Sequence, residues 1–455
     1  MARIAVIGGG VSGLSFAWRM KELKPGWEII ILEKTERAGG KVWTVSEEGF
    51  VWERGVNGFL DNKPATLDLA RQLGIEPLKS NDAARRRFVV KNNGLLGLPE
   101  SPGAFLRSKL LSPSGKLRIL LEPFIRKGDP KQDESLAAFA RRRLGKEALD
   151  CLIDPMATGI YAGDPEKLSL KACFPRIHEL EQGYGSLIRA MIALKKEAKL
   201  KGKAGPGAGP GGKLTSFARG MSVLVDTLYS RLKDIVRLNT PVISVIKQGD
   251  GFSVVTADGA EIPATHVVMA CPAKAASHIL SDGFPSAAEA ASAIQYPPVS
   301  ITALGIKEGT GMRPLDGFGF LCPAKEGRRI MGSLWDSSIF PARAPDGYGL
   351  IRVLVGGTRA PDLAGLPDDA LLKLVLDELK ALMGLKVRPE FVRIFRWKEA
   401  IPQYNIGHSA LIRKILEGLG NTRIKVRCNW AGGVSLNDCV TNADSLAREM
   451  ASSNG

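Results

Sequence analysis

The first residues able to do chemistry are a run of glycines near the start. Gly8, Gly9, Gly10, Val11, Ser12 and Gly13 lie between an apolar pentad, Arg3 to Ile7, and a segment from Leu14 to Leu23 whose apolar residues have helical spacing. The glycines have distinct tasks: Gly8 makes a tight turn, Gly10 lets backbone approach a pyrophosphate, and Gly13 permits close helix-to-strand packing. Phosphates then rest on the helix N-terminus. A second apolar run, Glu28 to Leu32, ends at Glu33, about 20 residues past the last glycine, where a carboxylate accepts hydrogen bonds from ribose hydroxyls. An acid there favours a ribose without a 2'-phosphate. Lys34, Arg37, Gly39, Gly40 and Lys41 follow, a cationic, glycine-paired loop able to fold over the pyrophosphate. A glycine triplet alone also serves plain loops, but strand, turn, helix, strand and acid in this order point to a dinucleotide.

The elements that must hold these residues are spread along the chain. With 455 residues the chain exceeds one core, so two or three domains are expected. The fold class read from the pattern is α/β: a Rossmann-like nucleotide-binding domain, a mixed α/β substrate domain and an inserted helical domain. Nucleotide-binding segments are expected at 1–84, 214–285 and 421–455. The substrate domain is expected at 85–100 and 286–420, and the helical domain at 101–213. Within the last, Lys195 to Lys213 collapses into Lys, Gly, Pro and Ala, which reads as a mobile loop. Thr215 to Leu232 reads as a helix, and Asp368 to Met383 as another. Gly49 to Phe59 reads as backbone pressed against a flat ligand, or as a simple hairpin. Arg85 to Lys91 is a basic strand, a solvated edge or a carboxylate clamp, with the edge favoured by pattern alone. A two-residue period groups Arg85 with Arg87 and sets Arg86 opposite.

Composition is that of an ordinary globular protein, with a formal charge of +16. Such a balance suggests an acidic partner: nucleic acid, an anionic membrane surface or a polycarboxylate. Nucleic acid is disfavoured, because none of the common binding motifs is present. From Ser101 to Leu144, Leu and Phe alternate with Lys and Arg in amphipathic helices. Core helices and membrane-surface helices share that pattern, and the basic balance tips it toward the membrane. The six cysteines form no close pair and the four histidines no zinc spacing, so reduced thiols and no metal are expected. A strand at residue 3 leaves no room for a leader peptide, and no apolar run reaches spanning length. A cytoplasmic protein is expected, peripheral on the cytoplasmic face of a membrane.

The opening segment resembles the flavin-dependent amine oxidase superfamily, whose signature is this fingerprint followed by an arginine and a double glycine. That implies FAD rather than NAD, and no motif for covalent attachment is recognisable, so the FAD is noncovalent. Further stretches resemble the protoporphyrinogen oxidase family of the soluble FAD type, across nearly the whole chain. They are Trp52 to Phe59, Asp154 to Ser169, Gly317 to Pro323, Gly332 to Trp335, Phe340 to Arg343 and Gly433 to Cys439. The resemblance implies that Gly55, Val56, Asn57 and Gly58 lie near the flavin and that Val242 meets the adenine. It implies that Asn429, Val434, Ser435 and Leu436 close over the isoalloxazine, with Trp397 nearby. On the substrate side it implies walls from Gly159, Phe320, Leu334 and Trp335, and an arginine, Arg87, facing a propionate. A glycine at 159 in a helical region suggests a side chain would strike something broad, namely the macrocycle. For Phe320 and Leu334 ordinary core packing is the competing reading. Two departures stand out: Gly55-Val56 replaces the commoner Gly-Pro, and the aromatic before the final glycine turn is displaced to Trp430.

What the resemblance implies is oxidation of protoporphyrinogen IX to protoporphyrin IX in haem biosynthesis, in three two-electron steps. A meso CH2 passes hydride to flavin N5 while a pyrrole nitrogen sheds a proton, with no dedicated protein acid or base. Oxygen or a quinone then takes the electrons, and the family leaves room for a homodimer. Coproporphyrinogen III, with four propionates, is the alternative; Leu436-Asn-Asp-Cys439 looks more like the two-propionate branch. Remoter readings are an amine oxidase, a carotenoid desaturase or a colourless lipid escort of the same fold.

Overall fold

A computed structural model describes residues 2–200 and 212–452 and shows a mixed α/β chain. Its centre is a parallel sheet built from separated stretches of sequence. β1 (Arg3–Ile7) lies between β2 (Glu28–Leu32) and the strand His266–Met269, with Val236–Arg237 and Ile424–Val426 at the edges. Every pairing in it is parallel. Such strands are covered on both faces and need apolar residues throughout, which Ile4, Ala5, Val6 and Ile7 supply. Ile4 and Val6 share a core with α1 (Val11–Leu23) and the helices Ser222–Leu232 and Leu436–Ser452. Ala5 and Ile7 share the opposite core with Ala273–Leu280, Pro285–Ser292 and His408–Leu419. The last two helices lie almost wholly inside the 286–420 stretch assigned from sequence to the substrate domain, yet they pack on the nucleotide side.

The second sheet runs Phe391–Trp397, Val299–Lys307, Tyr348–Gly356, Gly332–Leu334, Gly319–Leu321, Arg87–Lys91, Gly94–Gly97. Only Arg87–Lys91 and Gly319–Leu321 pair in parallel. Helix Asp368–Met383 covers one face, sharing a core with Phe88, Val90, Phe320 and Val353. The other face meets the hairpin of Thr44–Glu47 and Phe50–Glu53, whose turn contains Gly49. Arg87–Lys91 is bonded on both sides, so the solvated-edge expectation fails. Arg85 ends the 3-10 turn Asp82–Arg85 and pairs with Asp82 at 3.4 Å, so a strand period does not group it with Arg87.

Short helices fill residues 101–200. Ser101, Ser112, Ser135 and Ser169 each cap one by accepting a backbone N–H three residues on. Arg143, fully buried, ties them together, donating to Glu122 at 2.9 Å and to Glu181 at 2.6 Å. Removing one partner of such a buried pair costs about 3–5 kcal/mol. The loop expected at 195–213 is corrected at its start, because Leu187–Leu200 is one helix; 201–211 lie outside the described residues. The helix expected from Thr215 begins only at Ser222, since Leu214–Ser216 is a strand and Gly220 turns the chain at φ +96°. Among the described residues, no helix is long and apolar enough to cross a membrane, and no cluster of His, Cys, Asp or Glu could hold a metal ion. The six cysteines are free thiols.

Candidate functional site

Two loops lie side by side beyond the C-terminal end of β1. Gly39 N–H donates to the Gly9 carbonyl at 2.7 Å, and Gly8 N–H donates to Leu32 at 2.9 Å. A Cβ on Gly13 would sit 2.1 Å from the Gly8 oxygen, and one on Gly9 would sit 3.0 Å from the Glu33 Cβ. Gly10 differs: the nearest atom to an added Cβ is Gly40 Cα, 4.0 Å away. The protein itself leaves open the space a side chain would fill there, and that is where a pyrophosphate needs room. Glu33, buried, accepts Gly9 N–H on Oε2 at 2.8 Å, while its Oε1 accepts Thr35 N–H at 3.0 Å and the Thr35 hydroxyl at 2.8 Å. Oε2 keeps a lone pair for a ribose hydroxyl. Lys34 is exposed beside it, and Val242 follows Thr240, whose N–H donates to the Glu33 carbonyl at 2.8 Å.

The N-termini of two helices open at the same place. Val11 begins α1, and buried Ser12 meets Cys439 of Leu436–Ser452. Ser435 caps that second helix, donating to Asp438 Oδ2 at 2.7 Å and accepting Asp438 N–H at 3.2 Å. Leu436 is buried in the nucleotide-side core, where Val56 also packs, whereas Val434 packs on the helical part. In the adjoining loop, the buried Asn57 Nδ2 has no hydrogen-bond partner among the described residues. Such an orphan costs about 1–3 kcal/mol unless a ligand accepts from it. The open Gly10 cradle, the ribose carboxylate and this donor fit FAD.

Several expected contacts are made within the protein instead. Arg37 donates to the carbonyls of Ala38 at 2.7 Å, Val42 at 3.1 Å and Gly40, and lies 4.4 Å over the Trp43 ring. It therefore shapes the double-glycine loop rather than reaching over it, and burial pushes its pKa down against the pull of Asp226 and Glu33. Lys41 donates to the carbonyls of Glu399 and Ala400, 5.5 Å from the Trp397 ring, and burial pushes its pKa down to about 8. Inward-facing carbonyls claim both cations, because an unpaired buried acceptor is costly. Gly55 and Gly58 are required by neighbouring protein backbone: added Cβ atoms would strike Lys41 O at 2.1 Å and Thr215 O at 2.6 Å. Trp397 donates to the Arg54 carbonyl, and the Asn429 carbonyl accepts the Tyr404 hydroxyl at 2.8 Å. Trp430 is fully buried and donates to Cys271 O at 2.9 Å.

Strand register sorts the substrate-side residues. Gly319 lies opposite Leu334 and Arg87, and Phe320 opposite Ser333 and Phe88, so alternate residues point to opposite faces. Arg87, Leu321 and Leu334 share the face turned away from helix Asp368–Met383. Phe320, 2% exposed, lies beneath that helix with Trp335, 0% exposed, which packs on Phe88 at 5.4 Å. Phe320 and Trp335 are thus core, correcting the expectation that they wall a cavity. A Cβ on Gly159 would meet both Leu321 methyls at 3.1 Å, so the broad object beside it is Leu321 itself, on which helix Asp154–Tyr161 docks. Leu321 was missed, although the alternation within Gly317 to Pro323 carries it. Arg87 makes no hydrogen bond or ion pair among the described residues; its guanidinium lies 5.1 Å over the Phe318 ring. Burial pushes its pKa down, opposed by Glu100. Neighbouring arginines are committed: Arg352 to Asp336 at 2.9 Å and the Glu53 carbonyl at 2.6 Å, Arg343 to Ser216 at 2.8 Å, and Arg359 to Asp154.

A parallel sheet whose ribose carboxylate and bare glycine cradle open beside a second sheet places the protein among FAD-dependent oxidoreductases. Residues 11–424 match the flavin containing amine oxidoreductases, and the chain belongs to that family. It is similar to coproporphyrinogen III oxidase of Bacillus subtilis (strain 168), 32% identical over 452 residues, which cover 96% of this chain and 95% of the relative. It is also 32% identical over 440 residues to protoporphyrinogen oxidase 2, chloroplastic/mitochondrial, of Arabidopsis thaliana, covering 91% and 86% of the two chains. A crystal structure from Exiguobacterium sp. 255-15, provisionally named a protoporphyrinogen oxidase, matches with a TM-score of 0.83 at 25% identity, covering 99% and 98%.

Proposed function

We propose that the protein oxidises protoporphyrinogen IX to protoporphyrin IX by three successive two-electron dehydrogenations, as a step in making haem. FAD, when bound, supplies a hydride acceptor at N5. The protein's own part is binding: Arg87 pairs with a propionate, Gly159, Leu321 and Leu334 offer an apolar wall, and residues 55–58 and 429–436 hold the flavin edge. The observation that carries this is the part-buried Arg87 guanidinium, which has no hydrogen-bond or ion-pair partner among the described residues, in a chain whose full-length relatives are named for porphyrinogen oxidation. A carboxylate satisfies such a group by charge-assisted hydrogen bonds. Burial pushes the Tyr161 and Tyr404 hydroxyls up, and the Cys173 thiol up to about 12, so none of these is a base at neutral pH. The pyrrole proton is therefore not taken up by any of these three groups.

Coproporphyrinogen III is the second reading, favoured by the relatives that bear its name. The stretch from Leu436 to Cys439 does not choose between the substrates. Asn437 donates to Leu60 O at 2.7 Å and Asp438 pairs with Lys63 at 2.6 Å, both structural tasks. Arg87, the one wall guanidinium without a hydrogen bond or ion pair among the described residues, supports the substrate with fewer carboxylates. Porphyrin fluorescence from the purified, FAD-loaded chain, given each porphyrinogen separately, tests this: protoporphyrin formed faster is expected. Coproporphyrin alone would transfer the function to the second reading, and neither product would overturn both. Oxygen or a quinone receives the electrons. The protein works in the cytoplasm, touching an anionic membrane through residues 101–145, where Leu106, Leu117, Leu120, Leu121 and Phe124 are exposed.

A further inference from the structure

We propose that Tyr404 is a positioning residue for the flavin, acting through the turn 429–433 without touching the cofactor. The inference rests on the flavin site and not on the identity of the porphyrinogen. Tyr404 is buried among Leu136, Phe139, Tyr161 and Leu168 of the helical part, yet its hydroxyl reaches out of that cluster. It donates to the Asn429 carbonyl at 2.8 Å and accepts Gly433 N–H at 3.1 Å. Those two groups flank the turn, so one hydroxyl ties its ends together, beside the backbone bond from Ala431 N–H to the Cys428 carbonyl at 3.1 Å. His408 stacks on the Tyr404 ring at 4.0 Å, and its Nε2 lies 3.0 Å from the Trp430 carbonyl, to which it donates. Gly432 and Gly433, at φ +98° and +131°, occupy backbone conformations that favour glycine.

The turn leads through Val434 to Ser435 and the N-terminus of Leu436–Ser452. That N-terminus opens beside Ser12 and carries partial positive charge. A flavin gains negative charge on reduction, so a helix end held close favours the reduced form and raises the midpoint potential. A slack turn withdraws that charge, and both affinity for FAD and midpoint potential fall. Among the described residues, Asn442 holds the Gly432 carbonyl at 2.9 Å and His408 the Trp430 carbonyl, but Tyr404 alone bonds both Asn429 and Gly433.

Tyr404→Phe keeps the ring and its stacking and removes only the hydroxyl. Apoprotein is titrated with FAD, and the midpoint potential and visible spectrum of the reconstituted protein are recorded. The dissociation constant is expected to rise about fivefold to tenfold, because the hydroxyl's two hydrogen bonds act on the cofactor only through the turn, with a lower potential and a shifted flavin band. Tyr161→Phe is the control: its hydroxyl donates to Cys173 O at 3.2 Å in the same cluster and does not reach the turn. It should leave all three readouts unchanged. Wild-type affinity and potential in Tyr404→Phe would overturn the proposal, and so would equal changes in Tyr161→Phe, which would reveal general loosening. Unaltered chain that takes up no FAD would instead remove the flavin site itself.

Discussion

Gly10 and Gly13 are the same residue three positions apart, and the space around them separates cofactor binding from folding. A methyl on Gly13 would lie 2.1 Å from a backbone oxygen that cannot retreat, so Gly13→Ala should lower the apoprotein's melting temperature by the equivalent of about 1–3 kcal/mol or more. Gly10→Val sets its Cβ against no such obstacle. Its apoprotein should melt as the unaltered chain does, while FAD absorbance is lost on gel filtration; retained flavin would move the pyrophosphate elsewhere. Arg87→Ala should raise KM for the porphyrinogen by roughly 10-fold to 100-fold with kcat little changed, as lost charge-assisted binding of about 1.5–3 kcal/mol requires. Arg86→Ala is the comparison, since Arg86 is exposed and paired with Asp316 at 2.8 Å, a contact worth little. An unchanged KM in Arg87→Ala would leave that guanidinium without a ligand. The glycine tasks were legible in sequence because each depends on backbone a few residues away. Phe320 and Leu321 were not separable, because only the pairing with Arg87–Lys91 and Gly332–Leu334 tells which neighbour faces which side.

At the scale of elements, β1, α1 and β2 could be read directly because each contacts its neighbour in sequence. The placement of His408–Leu419 could not, because its apolar stripe meets Pro285–Ser292, more than a hundred residues earlier in the chain. Its first residue makes that helix sensitive to acid. Burial pushes His408 down to about 4, although the Trp430 carbonyl and Asp133 pull the other way. The neutral ring donates from Nε2, and among the described residues the buried Nδ1 has no partner to accept a second proton's bond. The unfolded chain takes that proton near 6.5, the folded chain only near 4, so this contribution is complete above pH 6.5 and lost as pH falls toward 4. Melting temperature should therefore drop between pH 6.5 and 4.5. His408→Gln, which keeps a donor for Trp430 and cannot titrate, should show a shallower drop; parallel curves would assign the acid sensitivity to other groups.

The whole molecule carries a charge of +16, and most of the large exposed apolar side chains among the described residues lie on the helical part. Phe124, 80% exposed, stands with Leu106, Leu117, Leu120 and Leu121 on Pro102–Arg107, Pro113–Leu120 and the turn after them. The basic residues interleaved with them are not equivalent. Arg118 donates to the carbonyls of Arg142 and Arg143, and Lys116 to Leu106 O at 2.8 Å, so replacing them would loosen the helices as well as remove charge. The apolar residues are the cleaner probe, because truncating an exposed side chain leaves the core untouched. Apolar burial and attraction to anionic lipid add together in peripheral binding. The chain should therefore cosediment with vesicles containing phosphatidylserine at low salt and be released as salt screens the charge. Leu120→Ser with Phe124→Ser should weaken cosedimentation several-fold at low salt, with melting temperature and flavin content unchanged. Equal binding by the double variant would reduce the interaction to charge alone, and no binding by the unaltered chain would leave these side chains to another partner.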